Sequence, residues 1–110
     1  MYIYTLEHDG KILGLGGYGM VTSTTCWGWV NLSHHAGSNV RAVFRTIKEW
    51  TSTFCADHGI SRVQAFVRPD FPEAIRLVEH LGFTLESTME NFYGDGNDGL
   101  LYKRIICSTK

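Results

Sequence analysis

Between residues 40 and 54 the apolar side chains Val40, Val43, Phe44, Ile47, Trp50 and Phe54 recur at spacings of three and four. That is the period of one face of an α-helix. Arg41, Arg45, Lys48 and Glu49 fall on the other side, and the pattern stops at His58-Gly59. A glycine there takes the left-handed backbone conformation that ends a helix. The flanks of this helix restrict the fold further. Residues 26–32 (CWGWVNL) are aromatic-rich and read as a central strand, with Trp27, Trp29 and Asn31 on one face. Residues 62–67 alternate Val63, Ala65 and Val67 against Arg62 and Gln64, the period of a second strand. A strand, one long helix and another strand form a crossover, so the two strands are predicted to lie parallel in one sheet.

The remaining segments predict antiparallel neighbours. Residues 2–6 and 11–21 flank His8-Asp9-Gly10, and Asp-Gly is the dipeptide favoured in a two-residue hairpin turn. The second arm carries Gly14, Gly16, Gly17 and Gly19, which weaken a strand and mark a bulge or the close approach of another backbone. A GxGxxG phosphate loop does not fit there, because another strand follows instead of a helix. Residues 22–25 make a polar turn, and residues 34–39 (HHAGSN) a loop ending in residue types that cap helices. Pro72 is placed as the first residue of a second helix whose buried stripe is Ala74, Ile75, Val78 and Leu81, with Gly82 closing it. Strands over 84–89 and 100–107 then flank a turn-rich loop, residues 94–99. The fold class predicted is a single α+β domain over residues 1–110, with a mixed, mostly antiparallel sheet, one parallel pair and two helices.

Composition excludes several classes. With 44% hydrophobic and 19% charged residues the 110-residue chain has material for one packed core and does not read as disordered. The net charge of -1 comes without any basic block, so no nucleic-acid surface is expected. Cys26, Cys55 and Cys107 are odd in number and widely spaced, which predicts reduced, buried thiols and neither a disulfide framework nor a metal site. No apolar run is long enough to span a bilayer and the start, Met1-Tyr2-Ile3-Tyr4, carries no leader pattern, so the expectation is a cytoplasmic protein with no membrane partner. Asp95, Asn97 and Asp98 lack the spacing of a calcium loop and read as turn chemistry.

The element order, and most specifically the run Ala74-Ile75-Arg76-Leu77-Val78-Glu79-His80-Leu81-Gly82-Phe83, resembles the GNAT superfamily of acyl-CoA N-acyltransferases. Glu86, the loop around Tyr93 and the closing run Leu101-Tyr102-Lys103-Arg104 sit where such proteins put them, and the resemblance covers nearly the whole chain. The N-terminal strand and helical pair of the family have no counterpart in it. What the resemblance implies is acetyl-CoA as cofactor, an amine acceptor, either a small molecule or a protein, and a set of positions. Gly37, Ser38, Asn39 and Val40 would present backbone donors to the pyrophosphate at the start of the long helix, with His34 as a side-chain donor, a base, or else a plain polar loop residue. Trp29, Val30 and Asn31 would hold the pantetheine arm and polarise the thioester through backbone N–H groups. Tyr93 is the catalytic candidate, as a proton donor near the acceptor entrance, with capping of its hairpin as the other reading. Trp27 and Trp29 are read as core aromatics, or else as the wall of a pantetheine groove.

The departures from the family pattern matter equally. Its Q/R-x-x-G-x-G/A loop corresponds here to His34, Gly37 and Asn39, so one glycine is kept. The asparagine and the tyrosine acid of its late helix correspond to Phe71 and Val78, whose side chains neither hydrogen-bond nor release a proton. The run from Cys26-Trp27 through the long helix to Leu81-Gly82-Phe83 also resembles the GNAT-like internal virion proteins of short-tailed bacteriophages. That second resemblance implies a non-catalytic structural or interaction module in host cytoplasm or virion, with a homo-oligomer or virion assembly partner.

Overall fold

The computed structural model describes residues 1–106, the side chain of His34 excepted. Cys107, predicted to end the last strand, lies outside the described residues. Two strands, β1 (Tyr2–His8) and β2 (Lys11–Met20), form the first hairpin. Its turn residues Asp9 and Gly10 both have positive φ, 51° and 75°, which is what a two-residue turn of this hand requires. Strand β3 (Thr25–Leu32) is followed by a 3-10 turn (His34–Ser38), the long helix α1 (Val40–His58) and strand β4 (Arg62–Val67). Helix α2 (Pro72–His80) and the strands β5 (Thr84–Met89) and β6 (Gly99–Ile105) complete the chain. The six strands form one sheet in the order β1-β2-β3-β4-β6-β5, and β3 with β4 is the parallel pair.

Local chemistry ends the helices where predicted. Gly59 closes α1 at φ 65°, Pro72 opens α2, and Gly82 follows it at φ 90°. Both helices cover the same face of the sheet. Cys26, Val63, Val67 and Tyr102 share that face through the β3–β4 and β4–β6 registers, and they pack in one cluster with Phe54 and Cys55 of α1 and with Leu81 after α2. A second cluster of Leu6, Leu13, Ala36 and Val43 anchors the 3-10 turn and the start of α1 to the first hairpin. Cys26 and Cys55 are buried free thiols, and burial pushes Cys26 up to about 12, which keeps it protonated and unreactive.

Three expectations need correction. Val40 is 62% exposed and does not belong to the buried stripe of α1, which is carried instead by Val43, Thr51, Phe54 and Cys55, with Phe44, Ile47 and Trp50 half-buried beside them. Asn39 makes no capping hydrogen bond to α1; its side-chain amide turns back to donate to the His35 carbonyl at 2.9 Å. Trp27 and Trp29 are half-buried and not part of the core, because they stand on the face away from the helices. There the glycines of β2 make room for them. Gly19 pairs with Trp27 and Gly17 with Trp29, and a Cβ on either glycine would run into the indole opposite. At Gly14 and Gly17 a Cβ would also strike a backbone oxygen, of Asn31 and Tyr2 respectively, the close approach that the glycine content implied.

The uncovered face carries an ion cluster in which Arg62 donates to Glu86 across the sheet and Lys103 lies 3.8 Å from the same carboxylate. The Arg62 hydrogen bond holds the Glu86 carboxyl below its usual range, and one from Arg68 does the same for Asp95. A carboxyl whose folded pKa is depressed stabilises the fold above its unfolded pKa and loses that contribution as pH falls through the folded value. The melting temperature is therefore expected to hold down to about pH 5 and to fall below about pH 4, where free carboxyls titrate. A Glu86→Gln, Asp95→Asn double variant should show a shallower decline in a pH series of thermal melts. An equal slope in both proteins would remove these two groups from the account.

Candidate functional site

Strands β3 and β4 are in register for four pairs, from Thr25 with Arg62 to Gly28 with Ala65, and then part. Beyond that point β3 stays paired with β2 through Trp29, Val30, Asn31 and Leu32, while β4 stays paired with β6 through Phe66 and Val67. Each strand is thus held by its outer neighbour while the inner edges separate. Alternate backbone groups along those inner edges have no ladder partner and are free to bind something else. The gap opens at the carboxyl end of the parallel pair, the side on which ligands bind in crossover folds.

A cavity of about 280 Å³ lies at this gap. Its walls come from β3 (Gly28, Trp29, Val30), from α1 (Ile47, Trp50, Thr51) and from α2 (Ala74, Leu77, Val78). Ala65, Val67 and Arg68 close it on the β4 side, with Phe71 and Tyr93 also in its lining. The lining is chiefly apolar. Its polar points are a buried pair, the Tyr18 hydroxyl and Thr51 Oγ1 sharing a hydrogen bond of 2.6 Å, and the Arg68–Tyr93 group. Burial pushes Tyr18 up to about 12, so it stays a neutral phenol.

The 3-10 turn sits at the open end of the gap. Ser33 fixes it to β2, its N–H donating to the Leu13 carbonyl at 2.7 Å and its hydroxyl to the Ile12 carbonyl at 2.8 Å. Gly37 and Ser38 are exposed, and Asn39 is half-buried. The first intrahelical bond of α1 runs from the Val43 N–H to the Asn39 carbonyl, so the amides of Val40, Arg41 and Ala42 precede the ladder. No side chain of Asn39 caps them and no acidic residue stands in the first turn. An uncapped helix start of this kind, exposed and with Arg41 beside it, favours an anion.

The sequence-predicted residues therefore fall in two places. Trp29, Val30 and Tyr93 line the cavity; Gly37, Ser38, Asn39 and Val40 form the turn and helix start above it. Asn31 lies on the exposed end of β3 beyond the cavity lining, and the His34 side chain is outside the described residues. Phe71 and Val78 both line the cavity, so the positions of the missing amide and phenol do face it. Sequence reasoning missed Arg68 and Phe66. Arg68 stacks over the Tyr93 ring at 4.6 Å and donates to Asp95 at 3.1 Å and to Asp70 at 3.3 Å, which ties the β5–β6 loop to the end of β4. Phe66 could have been noticed, since it is a large apolar residue on the polar side of the Arg62, Gln64 alternation.

Among solved structures the chain is similar to Ard1 from Thermoplasma volcanium, with a TM-score of 0.79 and 20% identity over 91% of this chain and 67% of that one. A variant of the spermidine N-acetyltransferase SpeG from Vibrio cholerae gives 0.80 and 14% identity over 94% of this chain and 64% of that one. A GNAT-family acetyltransferase from Bacillus anthracis gives 0.77 and 13% identity over 88% and 60%. The fold is that of the GNAT acetyltransferases. At these identities the GNAT likeness is one of fold alone, and the chain spans between 60 and 67% of the length of those three structures. No protein-family profile matches the chain, and no curated protein matches it. Among the described residues of this GNAT fold no group of three or more His, Cys, Asp and Glu side chains is placed to hold a metal ion, and no helix is long and apolar enough to cross a membrane.

Proposed function

We propose that the chain is an acetyl-CoA-dependent N-acyltransferase acting on an amine. The observation that carries this reading is the parting of β3 and β4 after Gly28 and Ala65, at the same end of the sheet as the uncapped start of α1. A thioester with a long diphosphate tail needs both features at once: backbone groups along a slot for its amide-bearing arm, and amides at a helix start for its phosphates. Gly37 supports the reading from another side. It has no positive φ and a Cβ on it would meet nothing within 4 Å, so neither conformation nor crowding requires a glycine there. A bare backbone facing open space is what close approach of a phosphate calls for.

Gly37, Ser38, Asn39, Val40 and His34 would hold the pyrophosphate, and Trp29, Val30 and Asn31 the pantetheine. Bound acetyl-CoA supplies an acetyl group activated as a thioester. The chain's contribution is orientation, exclusion of water by the apolar walls and polarisation of the carbonyl by backbone donors. Tyr93 is the proton donor of this proposal. Burial raises its phenol above the usual range although the Arg68 guanidinium opposes this, so it carries its proton at neutral pH.

The second reading is a non-catalytic module of the same fold, such as a virion assembly component or a self-associating one, and Phe71 and Val78 in the cavity wall favour it. CoA separates the two. A ligand at 100 times its dissociation constant stabilises by about 2.7 kcal/mol, which for a domain of this size raises the melting temperature on the order of 10 °C. A shift of that order with CoA supports the transferase; an unchanged melt at millimolar CoA supports the structural module.

A further inference from the structure

Resting on the transferase reading, we infer that the acceptor is an amine carried on an aromatic body, held at the mouth of the gap by aromatic rings and not by carboxylates. Phe66, Phe71 and Tyr93, from β4, the β4–α2 connection and the β5–β6 loop, all line the cavity. Phe92 extends this set, stacking on Phe66 at 5.2 Å and meeting Tyr93 edge-on at 5.0 Å. Several of these rings face solvent: Phe66 is 37%, Phe92 44% and Phe71 53% exposed. Exposed aromatics clustered at a cavity mouth mark a surface that binds apolar groups.

The loop is constructed to present its ring. Gly99 leaves room for Phe92, since a Cβ there would come within 2.8 Å of three atoms of that side chain. Asn91, at φ 50°, accepts from the Gly96 N–H, and its own N–H donates to Asp98. The charges point the same way. Arg68 is the one charged side chain in the lining among the described residues, and the nearby carboxylates Asp70 and Asp95 are both engaged with it. To pair with Asp70 or Asp95, a polycation would have to displace the guanidinium. A cavity lining without a carboxylate among the described residues also favours the neutral amine, the form able to attack. In the step, the amine nitrogen bonds to the acetyl carbonyl carbon and the carbon–sulfur bond breaks. The proton lost by nitrogen ends on the thiol of CoA, leaving an N-acetyl amine and free CoA.

The probes are 2-phenylethylamine and spermidine, each with saturating acetyl-CoA, read by thiol release and by calorimetric binding in the presence of CoA. The expected result is a kcat/KM at least about ten-fold higher for 2-phenylethylamine. Phe92→Ala should lower that value about ten-fold through KM, the scale of one lost aromatic contact, with CoA binding unchanged. Phe66→Leu, which keeps bulk and removes the stack, should do the same if Phe92→Ala does not fold. Equal or better use of spermidine, or an amine ratio that neither substitution moves, overturns the inference while CoA binding keeps the transferase reading in place. Failure of CoA itself to bind overturns both.

Discussion

Gly37→Glu is expected to abolish the stabilisation that CoA confers while leaving the ligand-free protein almost as stable as before. The substituted side chain would project into open space from a backbone without positive φ, so the fold has no reason to object. Exposed substitutions of that kind change stability by about 0.5 kcal/mol or less. The new carboxylate would lie beside the first-turn amides of α1, where it would occupy the positive end of the helix and repel a diphosphate. The whole CoA-dependent gain, about 2.7 kcal/mol at a hundred-fold excess over the dissociation constant, should vanish from paired thermal melts. A Gly37→Glu protein that still responds to CoA would show that the phosphates go elsewhere.

The second large effect is on the fold. Phe54 is 3% exposed and touches three rings, stacking on Tyr18 at 4.5 Å and on His58 at 4.1 Å and meeting Tyr2 edge-on at 5.0 Å. These rings join the first hairpin to the C-terminal end of α1. Phe54→Ala is expected to cost about 3 to 5 kcal/mol, from lost transfer free energy together with the cavity left behind. That is a large share of the 5 to 15 kcal/mol typical of a domain, so urea titration should show a much lower midpoint and a raised population of unfolded chain at 37 °C. A loss of less than about 1 kcal/mol would mean that the hairpin and helix do not depend on this contact.

What could be read in advance follows the range over which each signal acts. The Asp9-Gly10 turn, the end of α1 at Gly59 and the start of α2 at Pro72 are decided by the backbone preferences of one or two residues, and the sequence holds them in full. The alternation of residues 26–32 put Trp27, Trp29 and Asn31 together correctly, but period alone does not say which face of a sheet the helices cover. That choice depends on pairings with distant strands, and so the sequence leaves the indoles open to a core reading that the sheet does not bear out. The glycines of β2 held the missing information, yet only the register of Gly17 with Trp29 and Gly19 with Trp27 decodes it. The site divides in the same manner. The loop at residues 34–39 and the strand end at residues 29–31 are contiguous segments that the sequence places, whereas Arg68 meets Asp95 across 27 positions and Tyr93 across 25. Nothing local announces such a meeting.

The short seam that ends at Gly28 and Ala65 also governs the mechanics of the molecule. With only four residues of each strand joined there, the sheet amounts to two three-stranded plates, β1-β2-β3 and β4-β6-β5, spanned on one side by the helices. Flexing along that seam widens or narrows the slot without tearing any ladder within a plate. A molecule seated in the slot would grip both plates together, and the rigidity of the whole would then be set by its occupant as much as by the polypeptide.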